Sequence, residues 1–261
     1  MPWTYTLSSV YASYTALRTN NILWLDPNEL KSFETVINKK LINKINVNLQ
    51  YELHSGTLLT ISSGYIDCGS SVIKSSATIA GTSAWSMFIV CEVPSYYTGV
   101  GHIDIDHLVY TFYSGTTGYL ISITPHATND LNICLYAIHS PLTLIRKVNI
   151  QTPQKICIYA DSNSVLCVNG LYSDLFLNGT SLATHMITTT EYIGCDGLII
   201  YELMKYSDCK TIAQITGLMT YSNTKYGTTA IASLTSYLWN LDTITHTDNT
   251  AINTVYSSDL T

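Results

Sequence analysis

Charge is scarce in this chain. Asp, Glu, Lys and Arg make up 11% of its 261 residues, against about 25% in ordinary globular domains. The balance is acidic, with 12 basic and 18 acidic side chains, a formal charge of −6 and a pI near 5.5. Lys39, Lys40 and Lys44 form the densest basic stretch and read as a solvated face, so no nucleic-acid partner is expected. Long apolar runs are also missing. No stretch reaches the ~18 apolar residues of a membrane-crossing helix, so no membrane insertion is expected. The opening MPWTYTLSSVYASYTALRTN has neither a basic start nor an apolar block, and no signal peptide is expected from it. C-x-x-C, G-x-S-x-G, H-E-x-x-H, P-loop and G-x-G-x-x-G patterns are all absent. Their absence removes the sequence signatures of redox dithiols, serine hydrolases, zincins and nucleotide-binding loops. No cofactor is expected.

What is abundant is hydroxyl. Ser and Thr fill about a quarter of the chain, and there are 20 Tyr. Thr and Tyr suit the pleated sheet. A surface of hydroxyls and amides also avoids the desolvation cost of burying charge in a subunit contact. Assembled particles and extracellular proteins both use such surfaces. The seven cysteines are odd in number, and most fall within apolar runs such as FIVCEV, NICLY, KICIY and VLCVN. Small buried hydrophobes behave this way, so reduced core thiols are expected, with no metal site among them.

Along the chain, Ile22 to Leu25 reads as a short strand stopped by Asp26-Pro27. NELKSFETVINKKLINKINVNL carries apolar residues at 30, 33, 36, 37, 41, 42 and 45, a spacing that predicts an amphipathic helix capped by Asn28. From residue 57 onward, short apolar runs recur every 10 to 15 residues, separated by turn signals. That rhythm predicts an antiparallel sandwich or barrel, and no βαβ alternation points to a parallel sheet. Asp161-Ser162-Asn163-Ser164 and Asn169-Gly170 read as hairpin turns. In GLIIYELMKY, alternation places Leu198, Ile200, Glu202 and Met204 on one face and Ile199, Tyr201 and Leu203 on the other. Thr211 and Gln214 then have the spacing of a capping box, with Ile212, Ile215, Leu218 and Met219 on the buried side of the helix that follows. The expected organisation is an N-terminal segment (1–56) with a strand and a helix packed on the sandwich, a sandwich (57–221) and a polar C-terminal arm (222–261).

LCVNG at 166–170, YIG at 192–194 and GLIIYELMKY at 197–206, followed by the Thr211/Gln214 cap, resemble the concanavalin A-like, laminin-G-like jelly-roll superfamily. GYIDCGS at 64–70, AWSMFIVCEV at 84–93 and ILWLDPNEL at 22–30 add to the resemblance, which spans about residues 22 to 225. Lys210 departs from the apolar residue usual just before the cap. The resemblance implies an all-β, antiparallel two-sheet jelly roll, a structural role for Glu202, and kinship with domains found in phage and viral structural proteins.

One polar motif stands out, GHIDIDH. In a strand His102, Asp104 and Asp106 share a face, which makes them candidates for glycan or metal binding. Glycoside hydrolases of the resembled superfamily carry E-x-D-x-x-E there, and their two catalytic carboxylates are both replaced here by His102 and His107. A catalytic role is therefore not expected. Leu238, Trp239 and Leu241 form the one strong apolar knot of the tail and are the candidate interface. The sequence thus points first to a non-enzymatic virion component, assembled inside the host cell and acting through contacts with itself or with other virion proteins. The alternative is a glycan-binding, lectin-like or receptor-binding module, and a glycoside hydrolase ranks last.

Overall fold

Ser86–Glu92 is apolar on both sides of its backbone, and all but its last residue are buried. Such a run belongs in the middle of a covered sheet. The computed structural model puts it there. It describes residues 15–27, 40–42, 45, 50–55, 60–62, 64–69, 71–75, 84–92, 107–112, 118–125, 130–138, 143–151, 155–173, 190–193 and 198–228. All of these fall within one compact unit, residues 1–230.

Among the described residues, two antiparallel sheets of eight strands each form a sandwich. Sheet A runs, in spatial order, β14 (Leu171–Tyr172), β13 (Leu166–Val168), β12 (Lys155–Asp161), β7 (Ser86–Glu92), β16 (Ile199–Tyr206), β5 (Tyr65–Asp67) and β4 (Thr60–Ser62), and β1 (Asn21–Leu25) also pairs with β16. Sheet B runs β11 (Thr143–Gln151), β10 (Asp130–Ile138), β9 (Gly118–Pro125), β8 (His107–Phe112), β15 (Thr190–Ile193), β6 (Val72–Ser75), β3 (Gln50–Ser55) and β2 (Lys40–Ile42). A helical turn, α1 (Thr15–Arg18), precedes β1, and a helix, α2 (Ile212–Tyr226), follows β16. This is the all-β sandwich that the apolar rhythm implies.

Both expected turns form. Asp161 Oδ1 accepts the backbone N–H of Asn163 at 2.9 Å and of Val165 at 3.0 Å. Asn169 and Gly170 sit at φ 48° and 90°, the positive values that a type I′ turn demands. The capping box is complete in both directions between Thr211 and Gln214, and Gly227 ends the helix in the left-handed region. Ile215, Leu218 and Met219 meet Phe88, Val90, Cys157, Tyr159, Cys167, Met204 and Tyr206 in one apolar cluster. Helix α2 therefore lies on the outer face of sheet A. Lys210, the odd residue before the cap, is buried: Nζ donates to Thr19 O at 2.8 Å and Asp208 Oδ1 at 2.7 Å, and lies 4.0 Å above the Tyr206 ring.

Three expectations change. Lys40–Ile42, in the middle of the predicted helix, is an edge strand paired with β3; the pairing edge of β3 decides between two periods that both fitted the sequence. Ile45 is 48% exposed rather than on a buried helix face, and the rest of the predicted segment, residues 28–39, 43–44 and 46–49, lies outside the described residues. Ile212 is 53% exposed rather than buried, because at the first helical position it falls in line with Thr216 and Thr220, away from the sheet. Finally, Ile200 and Glu202 do not share a face. A β-bulge sets Ile200 opposite Cys91 and Glu202 opposite Val90, so the two side chains point to opposite sides of the sheet. Of the described cysteines, all free, Cys68, Cys91, Cys134, Cys157 and Cys167 are buried. Burial raises the Cys167 thiol to about 12 and pushes Cys91 and Cys157 up as well, in keeping with small apolar residues enclosed in a core.

Candidate functional site

The bulge in β16 is the starting point. A β-bulge adds one unpaired residue and re-aims the side chains around it. Here the extra residue is Tyr201, between Ile200 and Glu202. On the Ile200 side, Ile66 and Cys91 are its pairing partners, and all three are buried between the sheets. On the other face, Ile199 pairs with both Asp67 and Glu92, and Glu92 pairs with Lys155. Asp67, Ile199, Glu92 and Lys155 thus form one row across β5, β16, β7 and β12 on the outer face of sheet A. Adjacent strands are about 4.8 Å apart, which places the Asp67 and Glu92 backbones roughly 10 Å apart with Ile199 between them.

Next to the row stand three tyrosines. The rings of Tyr65 and Tyr201 are 6.1 Å apart and tilted by 58°. Those of Tyr201 and Tyr226 are 5.7 Å apart and tilted by 49°. Tyr201 OH donates to Glu92 Oε2 at 2.6 Å, and Lys155 Nζ lies 4.4 Å from the centre of the Tyr201 ring. Burial, then the bonded Glu92 carboxylate, raises the Tyr201 hydroxyl, so it stays a donor. All these side chains are half-buried. They make a shelf with flat ring surfaces, carboxylate acceptors and an ammonium donor.

The shelf is held by Glu202, which sits directly beneath the edge of α2 and is wholly buried. Trp24 Nε1 donates to its Oε1 at 2.7 Å, Tyr221 OH lies 2.9 Å from both oxygens, and Tyr226 OH donates to Oε2 at 2.8 Å. Lys225 Nζ reaches Glu202 Oε2 at 3.3 Å and Asp26 Oδ2 at 2.9 Å. Tyr226 OH is also 3.3 Å from Tyr201 O, the carbonyl freed at the bulge. One network therefore joins β1, the bulge and the C-terminal turn of α2. Burial raises the Glu202 carboxyl, and Lys225 opposes that rise. Its two oxygens are saturated by donors, which gives Glu202 the structural role that the resemblance implies.

His102, Asp104, Asp106, Leu238, Trp239 and Leu241 all lie outside the described residues. Among the described residues no three His, Cys, Asp or Glu side chains gather as a metal site, and no helix is long and apolar enough to cross a membrane. Sequence reasoning missed the shelf because strict alternation puts Tyr201 on the opposite face from Glu202. No local pattern marked the row, because Asp67, Glu92 and Ile199 meet only through pairing between strands distant in the chain.

The sequence matches no protein-family model and no curated protein. Solved structures do share its fold. The binding domain of botulinum neurotoxin serotype D is 13% identical with a TM-score of 0.53, over 83% of this chain and 53% of that one. A structure described as a receptor binding domain gives a TM-score of 0.56 at 10% identity, over 81% and 52%. The binding domain of botulinum neurotoxin DC in complex with SialylT gives 0.53 at 11% identity, over 80% and 52%. This chain spans about half the length of each. The likeness is one of fold: a two-sheet antiparallel sandwich shared with binding domains.

Proposed function

We propose that this chain is a non-catalytic glycan-binding module, lectin-like or receptor-binding in kind, and that sugar docks on the tyrosine shelf. The observation that carries the reading is the grouping of Tyr65, Tyr201, Glu92 and Lys155 on one half-buried sheet face with Tyr226 from the end of α2. Sugar C–H faces pack on tyrosine rings, and sugar hydroxyls need acceptors and donors fixed at the ring edge. The bulge and the Glu202 network fix them in advance, so little side-chain entropy is lost on binding. The shared fold supports the reading. One of the similar structures holds SialylT, and another concerns a toxin whose cell entry depends on two ganglioside molecules. Those properties belong to longer proteins and reach this chain only as part of the proposal.

On composition alone, we retain the virion as the proposed location. There, self-association or contacts with other virion proteins would anchor the module while the shelf meets the host surface. Light scattering on the purified chain tests the self-association, and a lone monomer at all concentrations argues against it. Screening on a glycan array followed by titration calorimetry tests the binding. Tyr201→Ala is expected to weaken any hit at least about tenfold, the scale of one lost ring contact, while the variant still unfolds in one cooperative transition. Hits that survive Tyr201→Ala intact would move the site elsewhere.

A further inference from the structure

We propose that the shelf selects uncharged saccharides and rejects sialylated, uronic or sulfated ones. The inference rests on the shelf being the glycan site and adds the class of ligand. The row Asp67, Ile199, Glu92 and Lys155 holds two carboxylates and one ammonium. The carboxylates flank the centre, while the ammonium stands at the end and is engaged with the face of the Tyr201 ring.

A carboxylate only accepts hydrogen bonds. Its natural partner in a sugar is a hydroxyl group. Each acid is already aimed by one bond: Asp67 Oδ1 accepts the Gly69 N–H at 2.9 Å, and Glu92 Oε2 accepts from Tyr201 at 2.6 Å. Both aiming bonds leave the second oxygen of each acid to accept from a ligand. Among the described residues, Tyr65 OH makes no hydrogen bond and Lys155 Nζ has no ion pair, so a donor and a donor-acceptor complete the set. A carboxylate or sulfate carried by a sugar over Ile199 would stand within one strand spacing of both acids. At that range, like charges near a protein surface repel by on the order of a few kcal/mol each. Lys155 stands beside Glu92 only and offsets part of this on one side.

The test is an array printed with matched sets, each a neutral lactosamine-type oligosaccharide and its sialylated and sulfated derivatives, together with neutral glucans and mannans. The neutral members are expected to bind at least about tenfold more strongly than their charged derivatives. The gap should narrow as salt is raised, since screening weakens exposed repulsion. The double variant Asp67→Asn, Glu92→Gln keeps both aiming bonds, because an amide oxygen still accepts, but it removes the charge. It is expected to close the gap by raising the charged members. Equal or stronger binding of charged members to the wild-type chain, lost in Tyr201→Ala, would overturn the selectivity and leave the shelf standing as the glycan site. No binding to any member, or binding that Tyr201→Ala leaves untouched, would overturn the site and the selectivity together.

Discussion

Glu202 receives donors from two elements, Trp24 on β1 and Tyr221, Lys225 and Tyr226 on α2. A buried acid satisfied this way costs little while its partners stay in place. Burial nevertheless raises its carboxyl above the ordinary value. A raised acid binds its proton more tightly in the folded chain than in the unfolded one. Its contribution to stability is therefore fully present below the unfolded value, about 4.3, and is lost as pH rises through the folded value. Glu202→Gln removes this titration but turns an amide N–H₂ toward other donors, at a cost of about 1–3 kcal/mol. The expected outcome in urea melts is a destabilised variant whose deficit against wild type grows as pH falls from neutrality toward the unfolded value of about 4.3. Asp161, also raised by burial, contributes equally to both chains and cancels in the difference. A deficit independent of pH would show that Glu202 does not titrate differently on folding.

At the scale of elements, α2 is fixed at both ends by chemistry that is local in sequence. Thr211→Ala removes the side-chain half of the capping box and is expected to cost about 1 kcal/mol, with Thr211→Ser restoring most of it. At the other end Gly227 has φ 70°, and a Cβ there would meet no atom within 4 Å. Gly227→Ala therefore costs only the left-handed backbone, about 1–2 kcal/mol, readable as a shift of the urea midpoint at constant slope. The Thr211 cap and the Asn169-Gly170 turn are legible in the amino-acid sequence, because a cap or a tight turn needs only residues within a few positions of each other. The strands are legible for a similar reason: a period of two is visible in any window. The bulge is not. Nothing within GLIIYEL marks which residue is extra, since Ile200 is apolar like its neighbours and Tyr201 fits either face. The choice is made by β7 and β5, which pair Ile200 with Cys91 and Ile66 and leave Tyr201 to the outside. One unpaired residue therefore decides whether the tyrosine shelf exists, and it is set by partners that are distant in the chain.

Across the whole sandwich, the two sheets are joined by a polar contact as well as an apolar core. Lys205 on β16 pairs with Glu191 on β15, and both are fully buried. Tyr51 OH donates to the same carboxylate, Tyr119 OH lies 3.4 Å from it, and Ser75 Oγ accepts the Glu191 N–H at 3.1 Å. Tyr119 in turn stacks on Trp85, with ring centres 3.9 Å apart and planes 15° from parallel. The sequence hid this pair because Lys205 and Glu191 lie on facing sheets, and each read as an ordinary polar residue within a strand. A buried ion pair adds little net stability over an apolar pair, but removing one partner strands the other. Lys205→Met is expected to cost about 3–5 kcal/mol by leaving Glu191 charged and enclosed. Adding Glu191→Leu should recover most of that loss, less about 1 kcal/mol for the Tyr51 hydroxyl that then lacks its acceptor. The double-mutant cycle measures the coupling directly. A double variant as unstable as Lys205→Met alone would mean that Lys205 stabilises the sandwich by filling space between the sheets rather than by neutralising Glu191.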